Sequence, residues 1–208
     1  MTAFDPRDPL LVCCDDARSV LRNGDLAQFR SRSLLSYLIR VGSFGVHSHS
    51  AMIRRNGDER IDLLEMYEFA GGRARPLEAC VAKAPGLIDI FRPNTDRWPE
   101  LDLQGATNHM RLLTGKRYGR TGLLILAGMR VIGLRFFLHG MVYDMGDEGS
   151  CQRPPFCSHA VCEAYRVGGG VDPVPRTPDW LVTPSQLTNS LLFEYVCSLI
   201  PCSNRETP

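Results

Sequence analysis

Hydrophobic and polar residues alternate along two neighbouring segments, 47–55 and 60–69, as antiparallel strands require. The residues between them, Asn56-Gly57-Asp58, accept the positive φ of a tight hairpin turn at low cost. The two segments are therefore predicted to form a β-hairpin. A strand over 26–30 is predicted after the turn Asn23-Gly24-Asp25, and another strand is predicted within 79–93.

Other segments carry apolar residues at helical spacing or have helix-capping residues. The predicted helices cover 33–42, 104–113, 121–141 and 156–167, and a short helix capped by Thr183-Pro184-Ser185 precedes a strand over 191–196. This mixture predicts an α+β fold with an antiparallel sheet.

Composition fits one globular domain over residues 1–208, with a core of about 23–190 between an N-terminal arm and a C-terminal wrapping segment. Hydrophobic residues make up 44% of the chain and charged residues 23%, which is enough apolar surface to bury a core. The 24 basic and 23 acidic residues give a net charge of +1, so no nucleic-acid partner is expected. Function must therefore come from a local site, and the oligomeric state is left open.

The compartment and membrane contacts are judged from the N-terminus and the most apolar segment. The first 19 residues lack the basic and apolar regions of a signal peptide, which favours a cytoplasmic location by default, with release by lysis or association with a particle left open. Arg130 and Arg135 interrupt the apolar segment 121–141, which favours a buried helix over a bilayer span. Contact of this segment with a membrane surface remains an alternative.

The chain has 8 cysteines, too few for a disulfide-built scaffold. Cys80, Cys197 and Cys202 are expected to be buried thiols. The spacing of Cys151, Cys157, His159 and Cys162 lacks the two matched pairs of a structural zinc site. Neither a metal nor a cofactor is therefore predicted.

Cys157 is the candidate nucleophile because it lies in the first turn of the predicted helix 156–167, after Pro154-Pro155. Free backbone N–H groups at a helix start favour a thiolate and can receive an oxyanion. The alternative is a small buried side chain on the inner face of the helix.

His49 is the candidate base, since a hairpin centred on Gly57 pairs positions that sum to about 114 and sets His49 opposite Glu65. Glu65 stands between apolar neighbours, where an unpaired carboxylate is costly, so a histidine partner would explain it. A shift of one residue in the register would separate them. The alternative is a strand whose polar side chains face solvent.

Several short motifs occur in an order that resembles a known family. They are GDLAQF (24–29), SLLSYLIRVG (33–42), SHSAMI with His49, LLEMY with Glu65, GKRYG with Tyr118, FCSHAV with Cys157 and VTPSQL (182–187). This set resembles the YiiX/YebB-type, circularly permuted members of the NlpC-related papain-like superfamily, over residues 23–190. The resemblance implies a small antiparallel sheet with the nucleophile-bearing helix packed against it.

The resemblance also implies a thiol hydrolase with Cys157 as nucleophile, His49 as base and Glu65 orienting the imidazole. Asp25, Ser48, Tyr118 and Ser158 are expected to support the site or to contact substrate.

The expected substrate is an amide bond in a peptide or peptidoglycan-derived molecule. A lipid-directed acyl hydrolase or acyltransferase with the same triad is one alternative, prompted by the apolar segment 121–141. A non-catalytic interaction module built on this fold is the other.

Overall fold

The computed structural model describes residues 5–30, 45–57, 60–68, 70–84, 87–119 and 154–202. The predicted helices 33–42 and 121–141 lie outside these residues. None of the described helices combines the length and hydrophobicity needed to span a bilayer.

The described strands form one mixed sheet in the order β1-β7-β6-β2-β3-β4-β5. All neighbours pair antiparallel except β1 and β7, which pair parallel. The strands are β1 Leu11–Cys13, β2 Leu26–Phe29, β3 His49–Asn56, β4 Arg60–Tyr67, β5 Gly71–Pro76, β6 Ile88–Pro93 and β7 Phe193–Ile200.

Helices pack on both faces of this sheet, which makes the fold α+β. The helices are α1 Cys14–Ala17, α2 Leu77–Lys83, α3 Leu103–Leu112, α4 Cys157–Glu163 and α5 Pro184–Thr188. Helix α4 continues as a π-helical turn over Ala164–Gly168, and Asp179–Leu181 forms a 3-10 turn.

Alternate residues of the central strands supply two separate cores, because successive strand side chains point to opposite faces. Met52 and Leu64 pack with Ala160 of α4 on one face. Ile53 and Leu63 pack against the α2 side on the other face. The helix that carries Cys157 therefore packs against the centre of the sheet.

Most of the predicted elements within the described residues are present. The hairpin β3–β4, the strand β2, the helices α3 and α4, and the final strand β7 all lie where the sequence predicts them. Thr183 caps α5 through a capping box with Gln186. The strand predicted within 79–93 is confirmed as β6, whereas the helix α2 over Leu77–Lys83 was not predicted.

The N-terminal arm contributes a strand and a disulfide to the fold. Strand β1 extends the sheet beside β7, and a disulfide joins Cys13 to Cys202, whose Cα atoms are 5.0 Å apart. The expectation that Cys202 is a buried thiol is therefore wrong. Cys80 and Cys197 are buried free thiols, as expected.

Backbone hydrogen bonds near both ends hold the segment 113–119 against the rest of the fold. Gly115 N–H donates to the Gly72 carbonyl, and Gly72 N–H donates to the Lys116 carbonyl at 2.8 Å. At the other end, Gly119 N–H donates to the Pro155 carbonyl at 3.0 Å, two residues before Cys157. The segment thus bridges β5 and the start of α4.

Replacing Gly72 by alanine should displace this segment, because the new Cβ would lie 1.8 Å from the Leu113 carbonyl oxygen. We expect Gly72→Ala to lower the free energy of unfolding by about 3 kcal/mol, measured by urea denaturation. Gly57→Ala is the control, since Gly57 has φ +69° but open space around it, and only the left-handed backbone cost of about 1 kcal/mol applies. Equal losses in the two variants would contradict the steric explanation.

Candidate active site

Cys157 is the first residue of α4, and its side chain is almost fully buried, with 3% of the residue exposed. The backbone N–H groups of Ser158 and Ser50 both donate hydrogen bonds to its sulfur. The β3–β4 pairing ends at Ala51–Glu65, while β4 continues to pair with β5. The backbone N–H of Ser50 lies just beyond this last pair and is therefore available to the sulfur. Cys157 thus reaches the sheet at the point where two strands separate.

His49 and Glu65 are in direct contact, with the His49 Nε2–H donating to Glu65 Oε2 at 2.7 Å. The predicted register was wrong by two residues, because Ala51, not His49, lies opposite Glu65. A shift of two preserves the face to which a side chain points, so His49 still reaches Glu65 diagonally. The predicted pair therefore forms although its predicted register does not.

His49 also contacts the candidate nucleophile. Its imidazole is hydrogen-bonded to the Cys157 thiol as well as to Glu65. Because Nε2 faces Glu65, Nδ1 is the ring nitrogen left to face the sulfur. The rings of Phe29 and Tyr67 pack edge-on against the imidazole, at centroid distances of 5.2 and 6.4 Å, and fix its plane. The three residues form a chain from carboxylate to imidazole to thiol.

Two arginines of β5 complete the surroundings of Glu65. The side chains of Arg73 and Arg75 each place Nε within 2.7 Å of Glu65 Oε1. Arg73 lies directly opposite Glu65 in the β4–β5 ladder, and Arg75 is two residues further along the same face. The Arg73 guanidinium also stacks on Tyr67, 3.7 Å from the ring centroid. A carboxylate with a fully buried side chain is thus held between one imidazole and two guanidinium groups.

These contacts shift the pKa values of all three groups. Burial alone would raise the pKa of Glu65, but hydrogen bonding to His49 and the charges of Arg73 and Arg75 lower it to about 2. Burial works against protonation of His49, yet its bonds to Cys157 and Glu65 raise the His49 pKa to about 10. Burial opposes the thiolate of Cys157, while His49 lowers the pKa of that thiol. The arrangement therefore favours a thiolate–imidazolium pair at neutral pH.

Tyr118 joins the site from the segment 113–119. Its hydroxyl is hydrogen-bonded to Cys157, and its ring packs with Phe156 and Trp180. Burial and the neighbouring Cys157 thiolate raise the pKa of Tyr118, which keeps the hydroxyl protonated and able to donate.

The other residues predicted to support the site have different roles. Asp25 lies elsewhere in the fold, where its carboxylate pairs with Arg92 at 2.7 Å. The Ser48 hydroxyl donates to the Phe29 carbonyl at 3.3 Å. The Ser158 hydroxyl donates to the Val182 carbonyl, so only its backbone N–H serves the thiol.

His47, two residues before His49, occupies a separate polar cluster in the core. Its Nε2 lies 2.8 Å from Asp89 Oδ2, and Arg30 pairs with the same carboxylate at 2.9 Å. Ser198 donates to Asp89 from β7. Because His47 is 1% exposed, it serves as a core residue that links β6 and β7 to the start of β3.

Arg73, Arg75 and the backbone of Ser50 are parts of the site that were not predicted from the sequence. The Arg-Ala-Arg spacing places two cations on one face of a strand, which is the pattern that could have indicated the arginines. Ser50 acts through its backbone, so its side chain gives no signal.

Comparisons with known proteins support the fold alone. No family model matches the sequence, and no curated protein matches it significantly. The structure is similar to the crystal structure of metalloprotein YiiX from Escherichia coli O157:H7, with a TM-score of 0.57 and 13% sequence identity. The likeness covers 86% of this chain and 98% of that chain. The chain therefore has a YiiX-like α+β fold.

Two groups of three potential metal ligands occur among the described residues. Cys13, Asp15 and Cys202 form one group, but both cysteines are in the disulfide. The other group is Cys162, Asp172 and Asp179, and the Asp179 carboxylate is already paired with Arg166 at 2.7 Å. Neither group includes His49, Glu65 or Cys157.

The low pKa of Glu65 predicts how stability depends on acidity. The folded-state pKa of about 2 lies below the ordinary value of 4.5. The carboxylate should therefore add about 3 kcal/mol of stability above pH 4.5, which is lost as the pH falls toward 2. Glu65→Gln should flatten that part of the pH dependence, measured as urea unfolding midpoints between pH 2 and 7.

Glu78→Gln is the matched control for this experiment. The Glu78 side chain is 40% exposed and pairs with Arg18 at the surface, where such pairs contribute little. We expect its pH dependence to follow the wild type. If Glu65→Gln also followed the wild type, the ionised Glu65 carboxylate would not be the source of the acid sensitivity.

Proposed function

We propose that this protein is a thiol hydrolase that cleaves an amide bond in a peptide or peptidoglycan-derived substrate. The observation that carries the proposal is the contact chain from Glu65 through His49 to Cys157. A buried thiol with no catalytic role needs neither a histidine partner nor two backbone donors. Here the sulfur has both, together with the hydroxyl of Tyr118.

In the first half of the proposed reaction, the Cys157 thiolate attacks the carbonyl carbon of the scissile amide. The carbonyl π electrons move onto oxygen and form a tetrahedral oxyanion. His49 then gives its Nδ1 proton to the leaving amine as the C–N bond breaks. The product is a thioester between Cys157 and the acyl group.

In the second half, His49 accepts a proton from water, whose oxygen attacks the thioester carbonyl. The C–S bond breaks, the carboxylic acid leaves and the thiolate is restored. Glu65 stays ionised throughout because Arg73 and Arg75 pair with it. Its role is to hold the imidazole by Nε2 and to stabilise the imidazolium.

Donors for the tetrahedral oxyanion lie close to the sulfur. The backbone N–H groups of Ser158 and Ser50 and the Tyr118 hydroxyl all reach Cys157. Preorganised donors of this kind stabilise the charge that develops in the transition state. We propose that Tyr118 supplies the second oxyanion donor, beside the backbone at the start of α4.

The peptide substrate and the permuted papain-like arrangement are the finer parts of the proposal. They rest on the resemblance of the sequence motifs and on the chain order of histidine, carboxylate and cysteine. The YiiX-like fold supports the α+β architecture alone. The lipid alternative was prompted by segment 121–141, which lies outside the described residues, so peptides are the class proposed.

The proposed ion pair predicts selective alkylation of Cys157. The pKa values of Cys14, Cys80 and Cys197 are raised to about 11 by burial, whereas that of Cys157 is lowered. Iodoacetamide should therefore modify Cys157 well before these three below pH 8, as measured site by site by mass spectrometry. His49→Ala should abolish the selectivity.

Turnover provides the second part of the same test. Cys157→Ala should remove amide hydrolysis from a panel of peptide and peptidoglycan-fragment substrates, while Cys80→Ala should retain it. Selective alkylation without hydrolysis of either class would reject the proposed substrate but keep the thiolate. Alkylation of Cys157 no faster than Cys80 would reject the catalytic site itself.

The proposed oxyanion donor predicts a separate effect of Tyr118→Phe. Loss of one such donor typically costs on the order of 10²-fold in kcat, with a smaller effect on KM. The phenyl ring keeps the packing with Phe156 and Trp180, so the melting temperature should change little. A kcat within about twofold of the wild type would show that Tyr118 does not stabilise the transition state.

A further inference from the structure

A pocket of about 350 Å³ lies against Tyr118 of the candidate site. It is lined by Glu68, Ala70, Gly71, Gly115, Lys116, Arg117 and Tyr118. Tyr118 belongs both to this pocket and to the site, because its hydroxyl is hydrogen-bonded to Cys157. Tyr118 is therefore the residue through which the pocket adjoins the site.

Backbone contacts build the wall of this pocket. The carbonyl of Lys116 accepts from Gly72 N–H, and a Cβ at Gly71 would lie 2.2 Å from that carbonyl oxygen. Gly71 also has φ +72°, a conformation that other residues rarely adopt. The glycines thus allow the strand and the segment 113–119 to touch, which sets the position of Lys116 and Arg117.

The charge of the lining is asymmetric. Lys116 and Arg117 are both exposed, and neither makes an ion pair with another residue in the part of the chain that the structure describes. Glu68 is the one acidic residue of the lining, and its charge acts on Tyr118. Two cations facing one carboxylate leave a net positive pocket that would attract an anion.

We propose that this pocket is a substrate subsite for a carboxylate group, recognised by Lys116 and Arg117. The proposal deepens the proposed function, on which it rests, by naming the chemistry of the substrate beside the scissile amide. Arginine binds carboxylates through its planar fork of donors, and lysine adds a second charge. Glu68 weakens this attraction, because its negative charge repels an anion in the same pocket.

Two alkylating reagents of similar size test the charge at this subsite. Iodoacetate and iodoacetamide both form an S–C bond with the Cys157 thiolate and release iodide, but only iodoacetate carries a carboxylate. The ratio of their rates at Cys157 measures how well an anion is received beside the thiol. At low ionic strength the double variant Lys116→Gln/Arg117→Gln should lower this ratio by about two- to fivefold.

A variant that removes a negative charge from the pocket provides a second, independent test. Glu68→Gln removes the opposing charge and should raise the ratio. Lys83→Gln/Arg97→Gln is the matched control, because it removes the same net charge from residues that do not line the pocket. Its ratio should remain at the wild-type value.

The outcomes separate this inference from the proposed function. If Cys157 reacts selectively with both reagents but the pocket variants leave the ratio unchanged, the carboxylate subsite is rejected and the thiol hydrolase stands. If the control variant lowers the ratio equally, the effect comes from overall charge and the subsite is also rejected. If Cys157 is unreactive toward both reagents, both proposals fail.

Discussion

The ionised carboxylate of Glu65 is the group on which the fold and the site both depend. Its side chain is fully buried, and an uncompensated charge there would be too costly to keep. His49, Arg73 and Arg75 supply the compensation, each within 2.7 Å of a carboxylate oxygen. Because these partners come from strands on both sides of β4, the sheet must pair in its observed register for the charge to be tolerated.

The same carboxylate also influences the Cys157 thiol, through His49. Glu65 and the Cys157 thiolate both favour the charged form of His49, and His49 in turn lowers the pKa of the thiol. The arginines do not touch the sulfur. They act through Glu65, which they keep ionised, so they are positioning residues in the proposed reaction.

The hairpin and the nucleophile helix could be predicted because local signals define them. Asn56-Gly57 marks the turn, and a diproline precedes Cys157. The exact register could not be predicted, since it depends on how many residues the turn uses. Strand β5 was missed because Gly71-Gly72-Arg73 has no apolar alternation, and its partners become visible only once the chain pairs with β4.

The position of Tyr118 shows a second limit of sequence reasoning. Its location depends on Gly72 and Gly119, where the backbone of a distant segment approaches too closely for any Cβ. Such contacts leave no periodic signal, yet they connect β5, which holds the arginines, to Pro155, two residues before α4. One side of the site thus supplies the cations that keep Glu65 charged, and the segment bound to it carries the hydroxyl that reaches Cys157. Strand β5 therefore positions the arginines beside Glu65 and, through the segment 113–119, the tyrosine beside Cys157.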